Sequence, residues 1–129
     1  MLNELRDKIH KNAVNHGFYS DEKDNHVLVK LMLIATELGE AAEAYRKNHY
    51  ANMKVFDDSC NDIALDKIIG PTEVDLFADL IKDSFEDEIA DCIIRLLDLC
   101  GFMGINIEKH IQLKMWFNEF REYKHGKIC

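Results

Sequence analysis

The sequence predicts an all-α protein, a helical bundle, on three observations. The chain holds one proline and six glycines in 129 residues. Average usage is about 5% and 7%, so this is too few to build the many tight turns of a β-sandwich or barrel. Apolar residues recur at three- and four-residue intervals over long stretches, the period of a helix buried along one face. The composition, 47% hydrophobic and 31% charged, is that of a globular chain rather than a disordered one. At this length a core can form without disulfides. No internal repeat, low-complexity tract or linker divides the chain, so a single domain over residues 1–129 is expected.

The first helix is expected from Leu2 to about His16, because Leu2, Leu5, Ile9 and Ala13 fall at helical spacing and Gly17 supplies a stop. The polar loop SDEKDN follows and offers Asp24 or Asn25 as the N-cap of a second helix, from about His26 to Lys47. Residues 48–83 form a less regular middle segment. Within it Val74, Phe77, Leu80 and Ile81 mark a short amphipathic helix after Pro71. Ser84 caps a third long helix, with Asp87 three residues on as a capping-box variant. That helix runs to about Phe102 and ends in the turn GFMGIN, after which Asn106 caps a last helix reaching about Tyr123.

Charge and cysteine usage exclude several classes of function. With 16 Lys and Arg against 24 Asp and Glu, the net charge is −8. A binder of duplex nucleic acid needs a basic face, so no nucleic-acid partner is expected. No stretch approaches the roughly 20 apolar residues of a membrane span, and MLNELRDKIHK is too charged for a secretory signal. Neither a membrane partner nor export is expected. Cys60, Cys92, Cys100 and Cys129 form no CxxC pair and no Cys/His metal spacing, which points to reduced thiols in a cytoplasmic protein. Cys92 and Cys100 fall on apolar sides of the third helix and are expected in the core. His10, His16 and His49 are expected at the surface. Neither a Rossmann fingerprint nor a P-loop is present.

The stretch EIADCIIRLLDLC, residues 88–100, carries the most chemistry. Nine of its 13 residues are apolar. The four polar ones, Glu88, Asp91, Arg95 and Asp98, fall within an arc of about 80°. A thin charged stripe between greasy flanks predicts a largely buried helix whose charges need partners, metal or substrate. On the second helix Glu37 and Glu40 are neighbours at i,i+3, and His26, Lys30, Leu33 and Ala44 share their arc of roughly 100°. Gly39 with Ala41, Ala42 and Ala44 gives a slim surface that another helix can approach closely. Four carboxylates brought together without cations repel one another and raise each other's pKa. Hard divalent cations relieve this, and Mg²⁺ with retained waters fits best; a structural ion-pair network fits the spacing equally. A di-iron site would want Glu-x-x-His pairs, which are absent. On the last helix His110, Lys114, Asn118 and Arg121 share an arc of about 80°. They suit phosphate oxygens, or else pair with neighbouring acids. The basic tail KHGK, residues 124–127, is expected to be exposed.

These features together resemble the MazG-like, all-α nucleoside triphosphate pyrophosphohydrolases. The signature ExxE followed by ExxD is matched by Glu37-Leu-Gly-Glu40 and Glu88-Ile-Ala-Asp91. The words ELGEAAEAYRK, FEDEIADCIIRLLDLCGFMGINIEKHI and KMWFNEFREYKHGK match as well, the last as a Lys-x-x-x-Asn-x-x-Arg element formed by Lys114, Asn118 and Arg121. The resemblance covers about residues 26–47 and 84–127; the long segment 48–83 departs from the compact members. It implies a bundle that assembles as a homodimer or homotetramer. It also implies Mg²⁺ held by Glu37, Glu40, Glu88 and Asp91. The expected reaction is hydrolysis of (deoxy)nucleoside triphosphates to monophosphate and pyrophosphate, with Lys114, Asn118 and Arg121 on the substrate; Lys30 and His26, from the arc that carries Glu37 and Glu40, are further candidates for substrate contact. Two alternatives are a pyrophosphohydrolase acting on another nucleotide such as phosphoribosyl-ATP, and a non-enzymatic helical partner protein. Retention of all four acids argues against the second.

Overall fold

The computed structural model describes residues 1–21, 26–60 and 70–121. Among them the chain is all-helical: α1 (Leu2–Asn15), α2 (Val27–Arg46), α3 (Met53–Ser59), α4 (Pro71–Leu80), α5 (Phe85–Met103) and α6 (Ile107–Asn118). Chain contacts divide it into two compact units. One comprises Met1–Val27 with Ile94–Cys129, and the other Leu28–Ile93, so α5 contributes a half to each.

The helix ends follow local chemistry. α1 gives way to a turn in which Gly17 takes φ +86°, a conformation that L side chains rarely adopt. Pro71 opens α4 at its first position, where its missing N–H costs nothing, and the Glu73 carboxylate accepts from the Gly70 N–H at 3.0 Å. Ser84 caps α5 as expected: it is fully buried, and its Oγ accepts from the Asp87 N–H at 3.2 Å. Asp87 reaches back one residue further than a capping box would, to the N–H of Asp83 at 2.9 Å. Asn106 caps α6 by accepting from the Lys109 N–H at 3.3 Å. Two boundaries differ from expectation. α3 was not signalled, because seven residues are too few to establish a period; Asn52 Oδ1 caps it by accepting from the Val55 N–H at 3.3 Å. α6 ends at Asn118 rather than near Tyr123, which leaves Arg121 beyond the helix. Asp24, Asn25, Tyr123, the KHGK tail and Cys129 lie outside the described residues.

In the first unit α1 packs against α6 and is also fastened to α5. His10 Nδ1 lies 2.9 Å from Asp98 Oδ1, and the Tyr19 hydroxyl donates to Asp98 Oδ2 at 2.7 Å. The Tyr19 ring stacks on Phe102 with centroids 5.1 Å apart. Arg6 donates to the Ile105 carbonyl at 2.6 Å. His10 is therefore not the ordinary surface residue its position suggested. Asp98, from the charged stripe of α5, is the partner that draws it in. Gly101 makes this approach possible, because a Cβ there would stand 2.6 Å from His10 Cβ. In the second unit α3 packs against α4. α2 buries the stripe Ile34, Glu37, Ala41 and Ala44. Among the described residues Gly39 is not where another helix closes in, since a Cβ there meets nothing within 4 Å.

The two glycines should respond oppositely to alanine. Gly101→Ala forces α1 off α5, an overpacking that costs about 1–3 kcal/mol. Gly39→Ala removes a flexible residue from a helix interior and should add about 1 kcal/mol. Chemical denaturation of both variants checks the pair; an unchanged Gly101→Ala protein would contradict the close approach.

Candidate functional site

The acids of α2 and α5 meet in the second unit. Glu37, Glu40 and Glu88 each offer a carboxylate oxygen such that all three lie within 4.8 Å of one another. The local order is antiparallel: Glu40 hydrogen-bonds Glu88, Glu37 acts on Cys92, and Tyr45 meets Phe85. Glu37 is on the buried stripe of α2, and two of its three companions there are alanines, which add no bulk beside it. Glu88 stands one turn inside α5, behind the buried Ser84 cap.

Burial is uneven across the cluster. Glu88 is 5% exposed and Glu37 9%, whereas Glu40 is open to solvent. Burial, then the hydrogen bond and charge of Glu40, then the charges of Asp91 and Glu37, push the Glu88 carboxyl up to about 7. At neutral pH the Glu88 carboxyl is therefore about half protonated, where an ordinary glutamate has lost its proton. Glu88 Oε2 is buried and, among the described residues, has no hydrogen-bond partner. Such an atom is costly to leave unmatched, and it faces a neighbourhood of acceptors, which a cation satisfies and another acceptor does not. The donors are all carboxylate oxygens, the set that suits a hard divalent ion such as Mg²⁺ rather than a soft metal. Burial first, and the charges of Glu37, Asp91 and Glu88 after it, push the adjacent Cys92 thiol up.

The remaining expected site residues are placed as follows. Asp91 is half-buried one turn along α5 and adds to the charge on Glu88, but it stands outside the trio. Lys30 is half-buried on α2, and His26, just before that helix, is exposed. Lys114, Asn118 and Arg121 belong to the first unit. There Lys114 Nζ lies 5.2 Å from the Phe117 ring centroid and the Arg121 guanidinium 5.9 Å from the same ring. Asn118 Oδ1 is buried without a hydrogen-bond partner among the described residues. Periodicity placed these three on one face; it did not signal that Phe117 gathers both cations. Sequence reasoning also missed Tyr45, Tyr50 and Phe85, which form a ring cluster where α2 ends and α5 begins. Their only signal was Phe85 standing one turn before Glu88. Comparison of the chain with protein-family models, with curated proteins and with solved structures finds no match.

Glu88 should make the stability of the metal-free protein fall with pH. Its folded-state pKa is raised, so the folded protein binds the proton more tightly than the unfolded one. The contribution is fully present below about pH 4.5 and is lost as pH rises to about 7. Glu88→Gln should flatten Tm across that window and raise it at neutral pH. Adding MgCl₂ at neutral pH should raise Tm of the unmodified protein and change Glu88→Gln far less. Thermal melts across the pH range check both, and an Mg²⁺-insensitive Tm would contradict the cation site.

Proposed function

We propose that this protein is a Mg²⁺-dependent hydrolase of (deoxy)nucleoside triphosphates. It would cleave between the α- and β-phosphates to give the monophosphate and pyrophosphate, and so clear non-standard or excess nucleotides from the pool. The observation that carries the reading is the buried Glu88 carboxylate, with one oxygen unmatched and two further glutamates within 4.8 Å. Two helices that bring three acids together, two of them buried, favour a compensating charge beside them. The resemblance of Glu37-Leu-Gly-Glu40 and Glu88-Ile-Ala-Asp91 to the MazG-like signature supports the same chemistry.

Glu37, Glu40 and Glu88 would hold the ion, with Asp91 alongside. When bound, a hard divalent cation neutralises phosphate charge and polarises the phosphoryl oxygens. The protein's own side chains do the rest. Buried Glu37 and Glu88 are fixed by the two helices and set where the triphosphate is anchored. Glu40 reaches solvent, so its carboxylate is the group able to take the proton from the attacking water. The new bond forms from water oxygen to the α-phosphorus, and the bond to the bridging oxygen breaks as pyrophosphate leaves in line.

Glu40→Gln and Asp91→Asn should each abolish turnover while leaving the helical circular dichroism unchanged. Phosphorus NMR of the unmodified protein's reaction should show monophosphate and pyrophosphate as first products. Diphosphate as the first product, or near-normal turnover in both variants, would sink the reading.

The same proposal extends to assembly as a homodimer or homotetramer. α2 exposes Leu28, Val29, Met32 and Leu38 by 50% or more. α6 with its following turn exposes Met115, Trp116 and Phe120 by more than half. Exposed apolar side chains on a helix are what an interaction face is made of, and further copies of the chain would cover them by symmetry. α5, expected to be largely buried, likewise leaves Ile93, Ile94 and Leu96 nearly half exposed. Light scattering at micromolar concentration should give a multiple of 15.0 kDa; the monomer mass would contradict assembly.

A further inference from the structure

We propose that the aromatic base of the nucleotide packs against the ring cluster of Tyr45, Tyr50 and Phe85, whose planes are inclined at 58° and 75° about Phe85, an inference that rests on the nucleotide reading above. The three rings come from three places in the second unit: the last turn of α2, the segment after it, and the first turn of α5. The Phe85 centroid lies 6.0 Å from that of Tyr45 and 6.1 Å from that of Tyr50. The cluster is built rather than incidental. After α2 the chain turns at Asn48, where φ is +54°, and is then tied down by backbone hydrogen bonds. His49 N–H donates to the Ala44 carbonyl at 2.9 Å, Phe85 N–H to the His49 carbonyl at 2.8 Å, and Asn52 N–H to the Leu80 carbonyl at 2.9 Å. The Ala51 N–H donates to the Glu86 carboxylate. Tyr50 is thereby held against Phe85.

Packing alone does not account for these rings. Phe85 is half-buried, but Tyr45 is 61% and Tyr50 46% exposed, so aromatic surface remains open on a rigid support. Its position relates it to the acids. Phe85 precedes Glu88 by one helical turn on the same side of α5, a neighbouring position. A triphosphate held at the carboxylates would have its base separated from the α-phosphate by one sugar, the reach needed to meet a ring one turn away. Aromatic faces accept any base, because every base presents a π surface, so the platform supplies affinity for nucleotides as a class.

The test uses the full chain with Mg²⁺ and two probes, a nucleoside monophosphate and ribose 5-phosphate, the second lacking the base. The monophosphate should shift the NMR ring signals of Tyr45, Tyr50 and Phe85, and ribose 5-phosphate should not. Tyr45→Leu and Phe85→Leu keep apolar bulk without the π face. Each should weaken monophosphate binding about 5- to 150-fold, the range of one base–aromatic stack, and leave ribose 5-phosphate binding as it was. Tyr45→Phe and Phe85→Tyr should bind normally, which separates loss of the ring from loss of the fold. Equal affinity for the two probes with unmoved ring signals overturns the platform and spares the phosphate site. Failure of both probes to bind overturns the nucleotide reading, and the platform with it. Leucine variants that bind the monophosphate normally but change mass in solution overturn the platform in favour of a contact between subunits.

Discussion

The burial of Glu88 beside two other glutamates is the constraint around which the second unit is organised. A carboxylate that is 5% exposed has lost its water, and the charges of Glu40, Asp91 and Glu37 act on it. In the metal-free state the protein answers by keeping a proton on the group, which is why its pKa rises to about 7. A proton satisfies one oxygen only; Oε2 stays unmatched. A divalent cation relieves repulsion, desolvation and the unmatched oxygen together. The arrangement that costs the fold stability by itself is thus the one a bound cation would reverse.

Holding that arrangement requires rigidity on both helices. On α5 the buried Ser84 cap fixes the first turn, and Asp87 closes back on Asp83. On α2 the two alanines that follow Glu37 on its buried stripe, Ala41 and Ala44, add no bulk beside it. The segment from His49 to Asn52 then ties α2 to α5 and to α4 through main-chain bonds. These are backbone and cap interactions rather than surface ion pairs, whose worth in water is slight. The charged groups are left to the site.

α5 serves two purposes along its length. Its first half supplies Glu88 and Asp91, and its second half supplies Asp98, which organises His10 and Tyr19. There a single carboxylate with two donors is fully satisfied and needs no cation. Burial and the Asp98 hydrogen bond push the Tyr19 phenol up and keep it a donor. Two acids on one stripe of one helix thus have opposite chemistry, because the residues opposite them are acceptors in one case and donors in the other.

The all-helical class, the caps at Ser84 and Asn106 and the ends of α1, α2 and α5 were determined by sequence alone, because period, caps and stop signals act within a few residues of chain. The pairing of Glu37-Leu-Gly-Glu40 with Glu88-Ile-Ala-Asp91 was legible as a spacing on two apolar helices. Tertiary structure alone decided that Glu88 is the buried member, that Glu40 faces water and that Asp91 stands outside the trio. Those differences depend on how α2 and α5 are rotated against each other, and helical period does not encode rotation. His10 failed as a surface residue for the same reason. Its neighbour Asp98 is 88 residues away along the chain, and nothing near His10 in sequence announces it. Tyr45, Tyr50 and Phe85 carry no common period either, since they come from a helix end, a loop and a helix start. Only closure of the backbone between them brings the rings together.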